Sequence, residues 1–148
     1  MNLRQWILVA CVALSAAAVL SAHAQPPGGD CPQPRFTGSA PPDYLARRNP
    51  FGPEADGAAG ARIYKGSGDG ISCAKCHGEK GDGKGPMSHM FDPRPRNFQC
   101  AATVNGIPDG QLFWIIRYGS PGTSMPPHKD LSDEQVWQLV AYLRRLAR

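Results

Sequence analysis

CAKCH, residues 73–77, decides how this sequence is read. Two thiols three positions apart with an imidazole next in line suit three chemistries: a structural zinc ion, a thioredoxin-like redox pair, or the covalent attachment of a c-type haem. The five residues alone do not choose among them; their surroundings do.

A structural zinc site takes four nitrogen or sulfur ligands, commonly as two close pairs. Cys31 and Cys100 each stand without a close-spaced ligand. A redox pair needs a βαβ frame, whereas the flanks here are glycine-rich and no convincing alternating strand pattern occurs anywhere in the chain. Haem attachment uses every member of the motif. The thiols of Cys73 and Cys76 add to the two vinyl groups, and His77 approaches the iron from one face. One covalent haem c, with His77 as an axial metal ligand, is the expectation.

Residues 1–24 read as a signal peptide rather than as part of a fold. Arg4 supplies a short positive start, residues 6–20 (WILVACVALSAAAVL) are apolar throughout, and Ala22-His23-Ala24 matches a small-x-small cleavage site. The run is shorter than the roughly 18 apolar residues expected of a spanning helix. The mature protein is therefore expected in the periplasm with no membrane span. Loss of 24 of the 148 residues, Arg4 among them, leaves 124 and lowers the net charge from +4 to +3. That length carries one modest domain, and the charge is too weak to argue for nucleic acid.

Cys11 departs with the leader, leaving four cysteines. In an oxidising exported compartment the two thiols without a haem duty are expected to pair, which predicts a Cys31–Cys100 disulfide. It would tie down residues 25–55, an arm crowded with Pro and Gly, whose fixed φ values and missing donors disfavour long helices and central strands. Phe36, Tyr44, Leu45 and Phe51 give that arm apolar material to lay on the domain at 56–148.

Within the domain, residues 56–64 predict a short helix, and 78–97 a long loop of the kind that surrounds a functional site. Asp109 to Tyr118 predicts a mostly buried helix stopped by Gly119. Ser132 and Gln135 form a capping-box pattern, after which Val136, Leu139, Val140, Leu143 and Leu146 recur at helical spacing. Candidates for a second iron ligand are Met87, His89, Met90, Met125 and His128. Met125 stands in GTSMPPH between the last two helices, where two following prolines stiffen the backbone. We assign it as the second axial ligand.

These residues resemble the class I c-type cytochromes, in particular the bacterial periplasmic monohaem kind. The likeness runs from Gly60 to Leu146 and rests on Gly60-x-x-x-Tyr64, Cys73-x-x-Cys76-His77, Gly81-Asp-Gly-x-Gly85, Met125-Pro126 and Leu139-Val-Ala-Tyr142-Leu143. It implies an all-α fold of three to five helices around one covalently bound haem, here preceded by an irregular Pro-rich arm. It further implies that the first and last helices cross at Gly60 against Tyr142, with Tyr64 beside them. A proline carbonyl, Pro93 or preferably Pro95, is implied as the acceptor for the ring of His77. The arm and the Cys31/Cys100 pair lie outside the likeness.

The function so implied is electron transfer without catalysis. Phe98, Leu112, Trp114, Ile115 and Tyr118 are expected to wall the haem, and Arg96, Trp114, Arg117 or Tyr118 to reach its propionates. Redox proteins, a dehydrogenase or an oxidase, are the expected partners, met through Lys75, Lys80, Lys84, Arg94, Arg96 and Lys129 near the haem edge. The protein would act as a monomer or as a complex subunit. The alternative is a haem-bearing subunit of a larger oxidoreductase complex with the arm as its interaction element. A haem enzyme or gas sensor would need an open iron position.

Overall fold

The computed structural model describes residues 31–33, 37–52, 57–66 and 72–147. Residues 1–24, read above as a signal peptide, and Phe36 lie outside the described residues. Six helices follow in order: α1 (Pro42–Leu45), α2 (Gly57–Lys65), α3 (Cys73–His77), α4 (Ala101–Val104), α5 (Asp109–Tyr118) and α6 (Asp133–Leu146), with one 3-10 turn at Ser88–Met90. No strand occurs among the described residues, so the fold is all-α. The count exceeds the three to five expected because α1, α3 and α4 are single turns of four or five residues.

Helix α6 starts where its capping box places it. The Ser132 hydroxyl accepts from the Gln135 N–H at 3.2 Å, and the Gln135 side chain accepts from the Ser132 N–H at 2.8 Å. Two donors that the helix leaves unpaired are thereby satisfied. Its apolar face buries Val136, Leu139, Val140 and Leu143 against α2 and α5. The crossing with α2 is tight at Gly60. A Cβ there would run into the Gln138 carbonyl and sit 2.7 Å from Cβ of Tyr142, so only a residue without a side chain allows the two backbones this close. Tyr64, one turn on, is fully buried with its ring 5.3 Å from that of Tyr142, and its hydroxyl donates to the Gly78 carbonyl at 2.8 Å.

The loop after α3 folds back beneath that helix. The N–H groups of Gly83, Gly85 and Met87 donate to the carbonyls of His77, Cys76 and Lys75 at 2.8, 3.2 and 3.0 Å, satisfying the acceptors a short helix leaves open. Gly85 lies so close that a Cβ would fall 2.6 Å from the Ala74 carbonyl oxygen. The arm residues 37–52 lie along α5. Gln111 of α5 is buried and accepts from the Ala40 N–H at 2.7 Å while donating to the Gly38 carbonyl at 2.8 Å. Asn49 donates to the Trp137 carbonyl at 2.9 Å, and the ring of Tyr44 stacks on Phe113. Cys31 and Cys100 are joined by a disulfide with their Cα atoms 5.5 Å apart. No helix among the described residues is long and apolar enough to cross a membrane.

Candidate functional site

Helix α3 is one turn long, and within one turn positions three and four apart share a face. Cys73, Cys76 and His77 therefore project to one side, toward a cavity also lined by Leu112, Ile115 and Ile116 of α5 and Leu139 and Leu143 of α6. The cavity, about 130 Å³, exceeds the water-sized voids of a packed core. Its lining is overwhelmingly apolar, with Thr37, Ser72, Arg96, Ser120, Thr123 and His128 among the polar exceptions. Such a space with few convergent polar groups is a binding site for a large apolar group.

His77 is buried, its ring stacked on Phe98 at 4.5 Å between centroids. Its Nδ1 lies 3.0 Å from the Arg96 carbonyl. With that nitrogen donating, Nε2 is left as the basic atom. The acceptor belongs to Arg96 and not to Pro93 or Pro95, although both prolines line the cavity. The Pro95 carbonyl points elsewhere, toward Gly83 and the side-chain amide of Gln33. Burial pushes the Cys73 thiol up to about 11 and raises that of Cys76 as well. Both stay protonated at neutral pH, unlike a redox thiol tuned for attack.

Met125 reaches the same cavity from the loop between α5 and α6. Its N–H bonds Thr123 Oγ1 at 3.2 Å and its carbonyl accepts from the Ser120 N–H at 3.2 Å, so the backbone that carries the thioether is held on both sides. Of the other ligand candidates only His128 touches the cavity; Met87, His89 and Met90 do not, and Met90 is well exposed.

Three of the expected pocket residues stand elsewhere. Trp114 and Tyr118, four positions apart on α5, lie on a face other than the one Leu112, Ile115 and Ile116 turn to the cavity, and the Tyr118 hydroxyl pairs with that of Tyr44 at 2.6 Å. Arg117 instead braces the ligand loop: its guanidinium donates to the carbonyls of His128, Lys129 and Leu131 and meets Asp133. Arg96 does line the cavity and is buried, with Nη1 donating to the Gln33 carbonyl at 3.0 Å. Sequence reasoning missed Gln33 and Thr37 altogether, since nothing in a Pro-rich arm signals contact with a site so distant along the chain.

The donor set fits a c-type haem: two thiols and an oriented imidazole on one turn, a thioether on a fixed loop, and an apolar chamber between them. Zinc is ruled out as a joint site of the four cysteines among the described residues, because Cys31 and Cys100 are bonded to each other. An all-helical fold closed around this constellation defines a class I c-type cytochrome domain. The chain belongs to the family described as cytochrome c oxidase, cbb3-type, subunit III, whose model matches residues 55–143, and that family implies haem c and an electron-carrying role. No curated protein sequence matches. A solved structure from the Kuenenia stuttgartiensis reducing HAO-like protein complex is similar, with 30% sequence identity and a TM-score of 0.54 over 64% of this chain. The similarity spans 45% of that longer chain, less than half its length.

Proposed function

We propose that this protein is an exported one-electron carrier holding a single covalent haem c, with His77 and Met125 as its axial ligands. The observation that carries this reading is the convergence of Cys73, Cys76, His77 and Met125 on one apolar cavity. Bound there, the haem supplies an iron that passes between ferric and ferrous states. The chain does the rest. Cys73 and Cys76 offer neutral thiols on one face of α3 for the two thioether links. His77 keeps its orientation through Arg96, and a thioether at the second position favours a higher potential than a second imidazole would. Leu112, Ile116, Leu139 and Leu143 exclude water from the chamber. The leader pattern of residues 1–24 supports export to the periplasm.

Optical spectroscopy tests the ligand set. The loaded wild type is expected to be low-spin and inert to carbon monoxide in its ferrous form, and Met125→Ala to bind it. Free binding by the wild type would remove Met125 as a ligand and the carrier reading with it.

A second reading, a haem-bearing subunit of a larger oxidoreductase, is favoured by the family's name and by the similar chain's place in a complex. It is separated from a free shuttle by native purification: a subunit elutes with a large partner, a shuttle alone.

A further inference from the structure

Gln33 follows the disulfide by two residues, and each of its four polar groups is engaged. Its N–H donates to Thr103 Oγ1 at 3.0 Å, and its carbonyl accepts from Arg96 Nη1 at 3.0 Å. Its side-chain Oε1 accepts from the Asn97 N–H at 2.7 Å, while Nε2 donates to the Pro95 carbonyl at 3.4 Å. A primary amide thus pairs with the peptide groups on both sides of Arg96, as a neighbouring strand would. Arg96 is the residue whose carbonyl accepts the His77 Nδ1–H. Upstream, the Cys31–Cys100 bond anchors the arm, and Thr103 Oγ1 in turn donates to Cys100 Sγ at 3.2 Å.

We infer that Gln33 is a positioning residue for His77: it clamps the peptides flanking Arg96 and so fixes the carbonyl that orients the imidazole. The inference rests on the reading of His77 as an iron ligand. A well-held Nδ1–H···O bond makes the ring more electron-rich, which favours the ferric state; a loosened one favours the ferrous state. The arm, outside the residues that match the family, thereby reaches the basicity of a ligand.

The test uses the full haem-loaded protein with Gln33→Ala and with Gln33→Asn, an amide one methylene too short to span both peptides. Gln111→Ala is the control, since it loosens the arm on α5 without touching residues 95–97. In both Gln33 variants, solvent exchange of the His77 Nδ1–H, followed by NMR on the ferrous protein, is expected to quicken about tenfold. The ferrous-to-ferric ratio at fixed ambient potential is expected to rise about threefold to tenfold, tenfold being 59 mV for one electron. Gln111→Ala should keep both wild-type values. Unchanged exchange and ratio in either Gln33 variant that retains the low-spin spectrum overturns the positioning role and leaves His77 ligation standing. An equal shift in Gln111→Ala overturns it too, by making the effect one of arm stability. A low-spin spectrum that survives His77→Ala overturns the ligation reading instead.

Discussion

Tyr64 couples the helix crossing to the site. Its ring fills the space beside Gly60 and Tyr142, its hydroxyl holds the Gly78 carbonyl just past α3, and burial raises its phenol well above the ordinary value. The folded chain therefore keeps this proton at pH values where the unfolded chain, with a tyrosine pKa of about 10, begins to lose it. Stability is fully present below about pH 10 and falls as pH rises above it. Tyr64→Phe should cost about 1 kcal/mol at pH 8 by removing one of the two hydrogen bonds that the Gly78 carbonyl accepts, the other coming from the Gly81 N–H, yet lose less than wild type between pH 8 and pH 11. Urea midpoints followed by far-UV circular dichroism check both. At this scale much was legible: Cys73, Cys76 and His77 announce themselves by spacing, and Met125 by its prolines. The acceptor for His77 was not, because a carbonyl's direction depends on how 95–97 is gripped from across the molecule.

Helix α5 shows what an element adds. Leu112, Ile115 and Ile116 occupy one face, and Trp114 with Tyr118 another, a division that helical periodicity contains but that a search for polar groups near the haem overlooked. Arg117 lies between them and gathers loop carbonyls. Its contact with Asp133 is largely exposed on the acid's side and contributes little; the bonds to carbonyls carry the effect. Arg117→Ala is expected to cost about 1–3 kcal/mol and to let carbon monoxide bind the ferrous protein with Met125 intact, whereas Trp114→Ala leaves the protein inert. A gas-binding titration of the two variants decides between a loop brace and a propionate contact. Arg144 acts similarly from α6, donating to the Val104 carbonyl at 2.6 Å and to Asp109 at 2.9 Å. A contact that reaches from α6 back to residues 104 and 109 leaves no local mark in the sequence. The capping box of α6, by contrast, is a local pattern and was readable in full.

For the whole molecule, the disulfide closes a sequence separation of 69 residues, and the arm it anchors touches both α5 and the segment behind His77. Cys31→Ser with Cys100→Ser should lower stability by about 2–5 kcal/mol and leave haem attachment intact, measured by denaturant unfolding and by haem staining after denaturing electrophoresis. The helical class and helices α2, α5 and α6 followed from patterning. The course of the arm did not, since Pro and Gly say where regular structure stops and not where the chain goes next.

The same bond answers a sorting problem. The four cysteines of the described residues can form a single disulfide in six ways, and only the Cys31–Cys100 bond leaves both Cys73 and Cys76 free on their one turn. By consuming each other, Cys31 and Cys100 withdraw the two sulfurs that could capture the motif. The high pKa of Cys73 keeps its thiolate scarce and slow to exchange. The crosslink that fastens the arm is also the arrangement that leaves the right two thiols unspent.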